Sequence, residues 1–494
     1  MELAENSNKA RYLELLLMRP LAVALLGLCI WLAWEYPVGQ TALASGLALY
    51  FLLLMRWPAL WLVALPMTLP VLELAFWSGR YFFNEYDLLV LTTIASGMWH
   101  GGTWTRQIDR GTAAVAVVLL LSQSAITANG LFPLDTPAPG AWMDYFASTN
   151  ALREFKGIFW ALLLWPMLGT ARARGDDLQR WLAIGMAAGL ITAFLSIVWE
   201  RGLFTGLFNF SHPYRISGWF FSMHTGGAAI DAFLAMSAPF ILSLILMWRR
   251  FEFRIAALVL ACAALYAFYV TYSRANYPAL LAIFAVVSWG IFVNFERHQP
   301  YRTTGGRRRM VIAVLGILSV TLLAAAAVLL GPQIQKRFLT TQQDLATRFE
   351  HWNDATAAAA SYPLATYLGR GKGSFPRDYY WHHEANNQHL ALAQLYSESG
   401  KKFVRFSKSD DSGNLFLQQR FERTPADKYL LRVLLRTPEG KPEALLIEFC
   451  ERHILKFRAE CQWTKVKVPA SNGDWLELAT TANRSEERRV GERV

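Results

Sequence analysis

Charged residues are scarce in this chain of 494 residues. Asp, Glu, Lys and Arg together make up 17% of it, whereas soluble domains contain about 25%. Cysteine is also rare: the chain has 4, too few for a small protein held together by disulfides. Its 33 glycines are too few for a collagen-like chain, and its 54% of hydrophobic residues excludes a disordered one. The composition therefore argues against a single soluble enzyme.

Long apolar runs fill the first two thirds of the chain, up to about residue 331. Because a helix needs about 20 apolar residues to cross a bilayer, we expect a membrane domain in residues 1–330 with about eleven spanning helices. The predicted spans are Pro20–Tyr36, Gln40–Met55, Trp57–Trp77, Tyr86–Trp99, Thr112–Ala128, Lys156–Leu168, Trp181–Glu200, Gly226–Trp248, Ile255–Tyr272, Tyr277–Phe295 and Met310–Leu330.

The basic residues predict the orientation of these helices. Lys and Arg are concentrated in every second loop, for example at 172–174, 249–254 and 307–309. Because positive loops remain in the cytoplasm, the N-terminus is expected to be cytoplasmic and the chain from Pro332 onward to face the outside. In a bacterial inner membrane, that side is the periplasm.

The spacing of apolar residues changes in the C-terminal third of the chain. From Lys402, short apolar or alternating runs are separated by turn signals such as Asp411–Asn414 and Asn472-Gly473. This pattern predicts a small antiparallel β-sandwich-like domain at 401–482, after a periplasmic loop with short helices at 331–400. Residues 483–494 are charged and patternless, which predicts either a disordered tail or a reading frame that ended early and left a fragment.

The four cysteines fall into two groups. Cys29 and Cys262 lie in predicted helices and are interpreted as apolar filler. Cys450 and Cys461 lie in the predicted sheet domain, where an oxidising compartment favours a disulfide over two free thiols.

Two arginines on the predicted outer side break the charge rule. Arg215 lies in the loop after the seventh predicted helix, and Arg274 lies in a very short turn between the ninth and tenth. A guanidinium group at an apolar interface needs an anionic partner, and its planar fork suits phosphate. The alternative is that these arginines reach lipid headgroups or pair with a nearby carboxylate. Arg348, four residues before Trp352, follows in the outer segment.

Signals for metals, nucleotides and nucleic acids are weak. The loop Gly369–Gly373 is glycine-rich and basic but lacks the Walker spacing. His382, His383 and His389 lie near Glu384 without a second ligand pair, so no metal site is predicted. A general base is the better reading of this cluster, and surface histidines without a role are the alternative. Neither half of the chain has the charge of a nucleic-acid-binding protein.

Taken in order, several of these segments resemble the O-antigen ligase and O-antigen polymerase superfamily of bacterial membrane glycosyltransferases. The likeness covers about Trp181–Pro376, and the N-terminal helices are similar only in topology. It rests on Arg215 before a long helix, on Tyr272-Ser273-Arg274, on Arg348-Phe349-Glu350-His351-Trp352, and on Pro363-Leu364 leading to Gly369-Arg370-Gly371-Lys372-Gly373.

The resemblance implies an inner-membrane enzyme that moves a glycan from undecaprenyl diphosphate to a hydroxyl of a glycan or lipid acceptor. Arg215 and Arg274 would then hold the diphosphate, Arg348 would support them, and His389 would be the base of an inverting transfer without metal or other cofactor. The sequence departs from the family after the histidine, where Leu390 replaces the usual Asn, and no further spanning helices follow. If the sheet domain is an insertion, the base lies beyond residue 494 and this chain is inactive.

Two other classes of function stay open. A transporter or flippase would show repeated halves and ionisable residues within the helices, for which Glu73 and Asp231 are the candidates. A glycan-binding membrane protein without turnover is the third hypothesis. The sequence leaves open the sugar, the acceptor, and the choice between ligase, polymerase and protein glycosyltransferase.

Overall fold

A computed structural model gives the structure of the chain. It describes residues 2–36, 39–72, 82–100, 110–134, 147–211, 214–220, 228–247, 250–274, 276, 278–283, 285, 289, 335, 339, 341–360, 369–382, 392–398, 401–407, 428–437, 443–451, 459–468, 471 and 473–483. The chain divides into two compact units, Met1–Asn386 and Asn387–Val494.

Helices make up the described part of the first unit. In chain order they are α1 (Glu2–Trp34), α2 (Gln40–Arg56), α3 (Trp61–Thr68), α4 (Glu85–Trp99), α5 (Arg110–Leu131), α6 (Asn150–Ala173), α7 (Leu178–Phe204), α8 (Ala228–Ser237), α9 (Pro239–Met247), α10 (Phe251–Val270), α11 (Thr341–Ala360) and α12 (Phe375–His382). A short 3-10 helix, Pro58–Leu60, precedes α3.

Four of the described helices are long and apolar enough to cross a membrane. Their apolar segments are Leu16–Trp34, Gly111–Leu131, Leu178–Phe204 and Phe251–Val270. The prediction of a mostly helical chain with candidate membrane-spanning helices is thus confirmed, whereas the eleven spans and the bounds 1–330 of a membrane domain stay predictions. The predicted span Met310–Leu330 lies outside the described residues, and Tyr277–Phe295 is described only in part.

Several predicted spans differ from the observed helices. The predicted Trp57–Trp77 is the 3-10 helix Pro58–Leu60 followed by α3, which ends at Thr68, and α1 begins at Glu2 instead of Pro20. The predicted helix Lys156–Leu168 is part of the longer α6, because polar residues of its first turns are bonded to neighbouring segments. Asn150 donates to the carbonyl oxygen of Gly373 at 2.8 Å, and Lys156 pairs with Asp87 at 2.5 Å. The predicted span Gly226–Trp248 is divided into α8 and α9, because Pro239 has no N–H to continue the helical hydrogen bonds.

Two hydrophobic clusters form the core of the first unit. One joins α1, α2, α3 and α4, and the other joins α7, α8, α9 and α10. Helix α7 packs closely against α3 because glycines face it. A Cβ atom on Gly185 would lie 2.2 Å from the carbonyl oxygen of Leu62, and one on Gly189 would lie 2.4 Å from that of Pro66. These contacts between backbones place α7, whose C-terminal end carries the site described below.

We expect Gly185→Ala to destabilise the bundle. The added methyl group would meet backbone atoms of α3, and overpacking of this kind costs about 1–3 kcal/mol. The measurement is thermal unfolding in detergent. Gly46→Ala in α2 is the matched control, since a Cβ atom there meets nothing within 4 Å and alanine favours a helix. Equal unfolding temperatures for the two variants would contradict the close α3–α7 contact.

Six strands are described in the second unit: β1 (Leu392–Glu398), β2 (Lys401–Ser407), β3 (Lys428–Leu435), β4 (Glu443–Glu451), β5 (Ala459–Val468) and β6 (Leu476–Asn483). They form antiparallel pairs β1–β2, β3–β6 and β4–β5. The predicted antiparallel strands are thus confirmed, and their assembly into a sandwich stays a prediction. Residues 331–400 were expected to form a periplasmic loop with short helices, and the strands were expected from residue 401. Instead, Leu392–Glu398 is a strand, because it pairs with β2 from Leu392↔Ser407 to Glu398↔Lys401.

The backbone register bears on the predicted disulfide between Cys450 and Cys461. The two residues lie on the paired strands β4 and β5, between the aligned pairs Phe449↔Gln462 and Glu451↔Ala459, where the register shifts. Their side chains lie outside the described part of the structure, so the disulfide stays a prediction.

We expect protein isolated without reductant to contain the Cys450–Cys461 disulfide. Facing strands bring the two backbones close enough for a bridge. Mass spectrometry of unreduced tryptic peptides should show the linked pair, whereas Cys262, a free cysteine, should be alkylated after denaturation. Alkylation of Cys450 and Cys461 in the same sample would show that they are free thiols.

Candidate functional site

The site is built where α7 and α10 end. The loop 205–220 follows α7, and the turn 271–276 follows α10. Two tyrosines of the α10 side join these segments: the Tyr266 hydroxyl donates to the carbonyl oxygen of Leu207 at 2.7 Å, and that of Tyr272 to Phe210 at 3.5 Å. The structure therefore brings the loop that carries Arg215 next to the turn that carries Arg274.

Glu200 lies near the end of α7, and only 3% of it is exposed. Its carboxyl group accepts hydrogen bonds from the Tyr214 hydroxyl at 2.8 Å, from the backbone N–H of Ser217 at 3.2 Å to each oxygen, and from that of Gly218 at 2.7 Å. One buried carboxyl group thus holds residues 214–218 against α7.

The Tyr214 hydroxyl remains a donor to Glu200 over a wide pH range. Burial, and then the charge of Glu200, raise the pKa of Tyr214 above its usual range. The ring of Tyr214 also stacks on Phe204, with 5.5 Å between the ring centroids. The loop is therefore fixed on α7 by both polar and apolar contacts.

Gly218 allows the loop to lie close to α7. Its φ is +59°, in the left-handed region that favours glycine. A Cβ atom there would lie 3.0 Å from Ile230 Cδ1 and 3.1 Å from Ser196 Oγ. A side chain at this position would push the loop away from Glu200.

Arg201 follows Glu200 in α7 and is fully buried. Its Nη2 donates to the carbonyl oxygens of Gly206 at 3.1 Å and Asn209 at 2.6 Å. The guanidinium carbon lies 5.6 Å from the ring centroid of Phe210. The guanidinium group also interacts with the hydroxyl groups of Tyr266 and Tyr272, but no acceptor in the described part of the chain lies in hydrogen-bond geometry with its Nε or Nη1. Arg201 thus holds the first half of the loop and keeps two unused N–H groups.

Arg215 lies beside a second acidic residue, Asp231 of α8. The charges of the two residues interact, and Asp231 Oδ1 accepts a hydrogen bond from the side chain of Asn276 at 2.8 Å. Asn276 also donates to Thr271 Oγ1 at 3.2 Å. Asp231 therefore connects the Arg215 loop to the turn after α10, which places this acidic residue at the site.

Tyr272 turns the chain at the end of α10. Its φ of 48° is positive, and a side chain other than glycine pays about 1–2 kcal/mol for the left-handed conformation. Only 1% of Tyr272 is exposed, so packing of the ring offsets this cost. The turn places Asn276 next to Asp231, and Arg274 lies on the same turn.

Unpaired N–H groups are concentrated at this site. Of six buried side-chain nitrogen and oxygen atoms without a partner among the described residues, four are nitrogens of Arg201, Arg215 and Trp219. A buried donor without an acceptor costs about 1–3 kcal/mol. The segments that form the site carry three arginines, Arg201, Arg215 and Arg274, and two acidic residues, Glu200 and Asp231. Both the unused donors and the charge balance suit an anionic ligand with several oxygen atoms.

The remaining predicted site residues lie elsewhere or are not described. Arg348 is exposed on α11, where the neighbouring rings of Phe349 and Trp352 lie edge to face at 5.3 Å. Helix α11 packs against α12. The predicted base, His389, lies outside the described residues. No group of three metal-ligating side chains occurs in the described part of the chain.

The glycine-rich loop, a weak phosphate signal in the sequence, packs against the ends of α5 and α6. Gly369, Gly371 and Gly373 all have positive φ. A Cβ atom on Gly371 would lie 2.1 Å from the backbone nitrogen of Gly130, and the N–H of Lys372 donates to Ile126 at 3.1 Å. The glycines are needed for this close approach.

The basic residues of the same segment also have partners. Arg370 binds both carboxyl oxygens of Asp378, at 3.0 and 2.8 Å. Arg377 donates to the carbonyl oxygens of Gly130 and Phe132 at 3.3 and 3.0 Å. Lys372 Nζ donates to a side-chain oxygen of Gln123 at 3.3 Å. The basic side chains therefore serve packing here.

We expect Gly371→Ala to release the 369–378 segment from α5. The substitution adds both left-handed strain and a clash with Gly130, and it should lower the unfolding temperature and expose the segment to limited proteolysis. Gly175→Ala is the control, because Gly175 has φ +82° but open space around a Cβ atom. If Gly371→Ala is no less stable than this control, the packing role is wrong.

Comparisons of the chain with protein-family models, curated proteins and solved structures found no match.

Sequence reasoning missed the two residues that hold the loop, Glu200 and Arg201. The sequence pattern marks Glu200 only as the end of a predicted span and does not single out Arg201. One signal could have indicated them: adjacent residues of opposite charge at the end of an apolar helix, shortly before a glycine at position 206. Charges placed there must find partners in the chain that follows.

Proposed function

We propose that the chain is a membrane glycosyltransferase of the O-antigen ligase or polymerase type. It would move an oligosaccharide from undecaprenyl diphosphate to an acceptor hydroxyl at the outer face of a bacterial inner membrane. The observation that carries the proposal is the group of unused N–H donors on Arg201, Arg215 and Trp219 at the end of apolar helices. A lipid diphosphate matches both features, with phosphate oxygens for the donors and a polyprenyl chain for the bilayer.

The proposed roles follow from the charge that develops during transfer. The acceptor oxygen attacks the anomeric carbon, the bond from that carbon to the phosphate oxygen breaks, and the diphosphate leaves with the electron pair. Guanidinium groups of Arg215 and Arg274 stabilise this charge, and planar guanidinium groups bind phosphate oxygens in pairs. Donors fixed before the reaction are the most effective way to stabilise such charge.

The acceptor proton requires a base on the opposite side of the sugar. His389 is the residue proposed for this role, since neutral imidazole takes a proton near neutral pH. Attack from the side opposite the diphosphate inverts the anomeric centre. Arg348 is proposed as a supporting contact to the glycan or the lipid.

A transfer assay tests this function. Purified protein in detergent is given an undecaprenyl-diphosphate oligosaccharide and candidate acceptors, and the joined product is measured. We expect Arg215→Ala and Arg274→Ala each to lower the rate by roughly 100-fold, as loss of a preorganised donor does elsewhere. Lys372→Met, in the glycine-rich loop that packs on α5, should stay within about twofold of wild type, since its side chain bonds Gln123.

Two results would contradict the proposal. A wild-type protein that transfers nothing to any acceptor but moves the lipid-linked glycan across vesicles would be a flippase instead. Loss of activity in Lys372→Met together with full activity in Arg215→Ala would move the diphosphate site to the glycine-rich loop.

A further inference from the structure

Arg215 is held in place through its neighbours. It follows Tyr214 directly and lies two residues before Ser217, and both of these residues donate to Glu200. Among the described residues, every hydrogen bond that ties 214–218 to a helix ends on the Glu200 carboxyl group. The hydrogen bonds that place Arg215 relative to α7 thus all end on one side chain.

We propose that Glu200 is a positioning residue, which sets the place of the Arg215 guanidinium group in the anion site. The inference rests on the proposed function, in which Arg215 binds the diphosphate of the donor. Glu200 itself makes no contact with the ligand in this account, because its two oxygens are already occupied by Tyr214, Ser217 and Gly218.

Apolar contacts keep the loop folded when Glu200 is replaced. Ile216 is fully buried, the rings of Phe204 and Tyr214 stack, and Trp199 and Trp219 meet edge to face at 5.6 Å. These contacts anchor the loop loosely along α7. The hydrogen bonds to the Glu200 carboxyl group fix the distance of the loop from α7 and its orientation. Binding of an anion depends on this accuracy more than folding of the loop does.

Glutamine at position 200 keeps the shape and removes half of this arrangement. One carboxyl oxygen becomes an NH2 group, which cannot accept from a backbone N–H. When Oε1 is the oxygen that remains, Tyr214 and Ser217 can still donate to it, and the N–H of Gly218 loses its acceptor. Glu200→Gln should therefore loosen the loop at Gly218, after Arg215, and leave its start attached.

The test measures the affinity of purified full-length protein for undecaprenyl diphosphate in detergent, for example by native mass spectrometry. We expect Glu200→Gln to weaken binding by about tenfold and Arg215→Ala by at least as much, as expected for charge-assisted hydrogen bonds. The double variant should bind no more weakly than Arg215→Ala alone, because Glu200 acts through Arg215. A purely structural role for Glu200 would not produce this coupling.

Asp87→Asn is the matched control for general loss of stability. Asp87 is also a buried carboxyl group, and it accepts from Lys156 at 2.5 Å, from Trp160 at 2.8 Å and from the backbone N–H of Asn84 at 2.9 Å. It lies at the start of α4, away from the 214–218 loop in sequence and contacts. Asp87→Asn should lower the unfolding temperature as Glu200→Gln does and leave the affinity unchanged.

Four outcomes would overturn the inference. If Glu200→Gln binds like wild type while Arg215→Ala is weakened, the positioning role fails and the proposed site stands. If Glu200→Gln weakens binding equally with and without Arg215, or if Asp87→Asn weakens it as much, the effect is general instability. If Arg215→Ala binds like wild type, the proposed anion site fails, and the positioning role fails with it.

Discussion

Two adjacent buried charges at the end of α7 determine the path of the chain that follows. Glu200 and Arg201 are 3% and 0% exposed, and charges removed from water must be satisfied by hydrogen bonds or opposite charges. Arg201 donates hydrogen bonds to carbonyl oxygens in the first half of the loop, and Glu200 accepts hydrogen bonds from N–H groups in the second half. The loop is thereby folded back over the helix end, and Arg215 is carried with it.

The position of α7 itself depends on the close contact of two backbones. Gly185 and Gly189 have no side chain, so the backbone of α7 lies against the backbone of α3 at these two positions. In addition, Thr192 Oγ1 donates a hydrogen bond to the carbonyl oxygen of Met67 at 2.7 Å. Such a contact cannot slide, because every side chain larger than hydrogen would clash. A rigid helix with charged residues at its end is a suitable base for a site that must hold an anion accurately.

Hydropathy located the helices better than it located the site. The expected spans Gln40–Met55 and Tyr86–Trp99 differ from α2 and α4 by one residue at most, because the apolar run and the helix coincide there. The distribution of positive charge pointed to Arg215 and Arg274, and in the structure the loop that carries Arg215 lies next to the turn that carries Arg274. The break before Pro239 and the strand Leu392–Glu398 were missed, since both depend on contacts that a local pattern does not contain.

For two basic segments, the role suggested by the local sequence differs from the role that the structure shows. The loop Gly369–Gly373 has the glycine and basic residues of a phosphate loop, yet its glycines allow close packing and its cations are bonded within the fold. Arg201 lies at the end of an apolar helix, where basic residues are often exposed, yet it is fully buried and two of its N–H groups have no acceptor among the described residues. Burial and partners separate the two cases, and neither can be obtained from one sequence.

The most direct measurement is a cryo-EM structure of the full-length protein with undecaprenyl diphosphate bound. The account predicts a phosphate oxygen within about 3 Å of Arg215 Nε, a hydrogen-bond distance, with Ser217 and Gly218 still bonded to Glu200. A diphosphate bound at the Gly369–Gly373 loop, or at any other place where it makes no hydrogen bond with Arg215 Nε, would contradict this prediction.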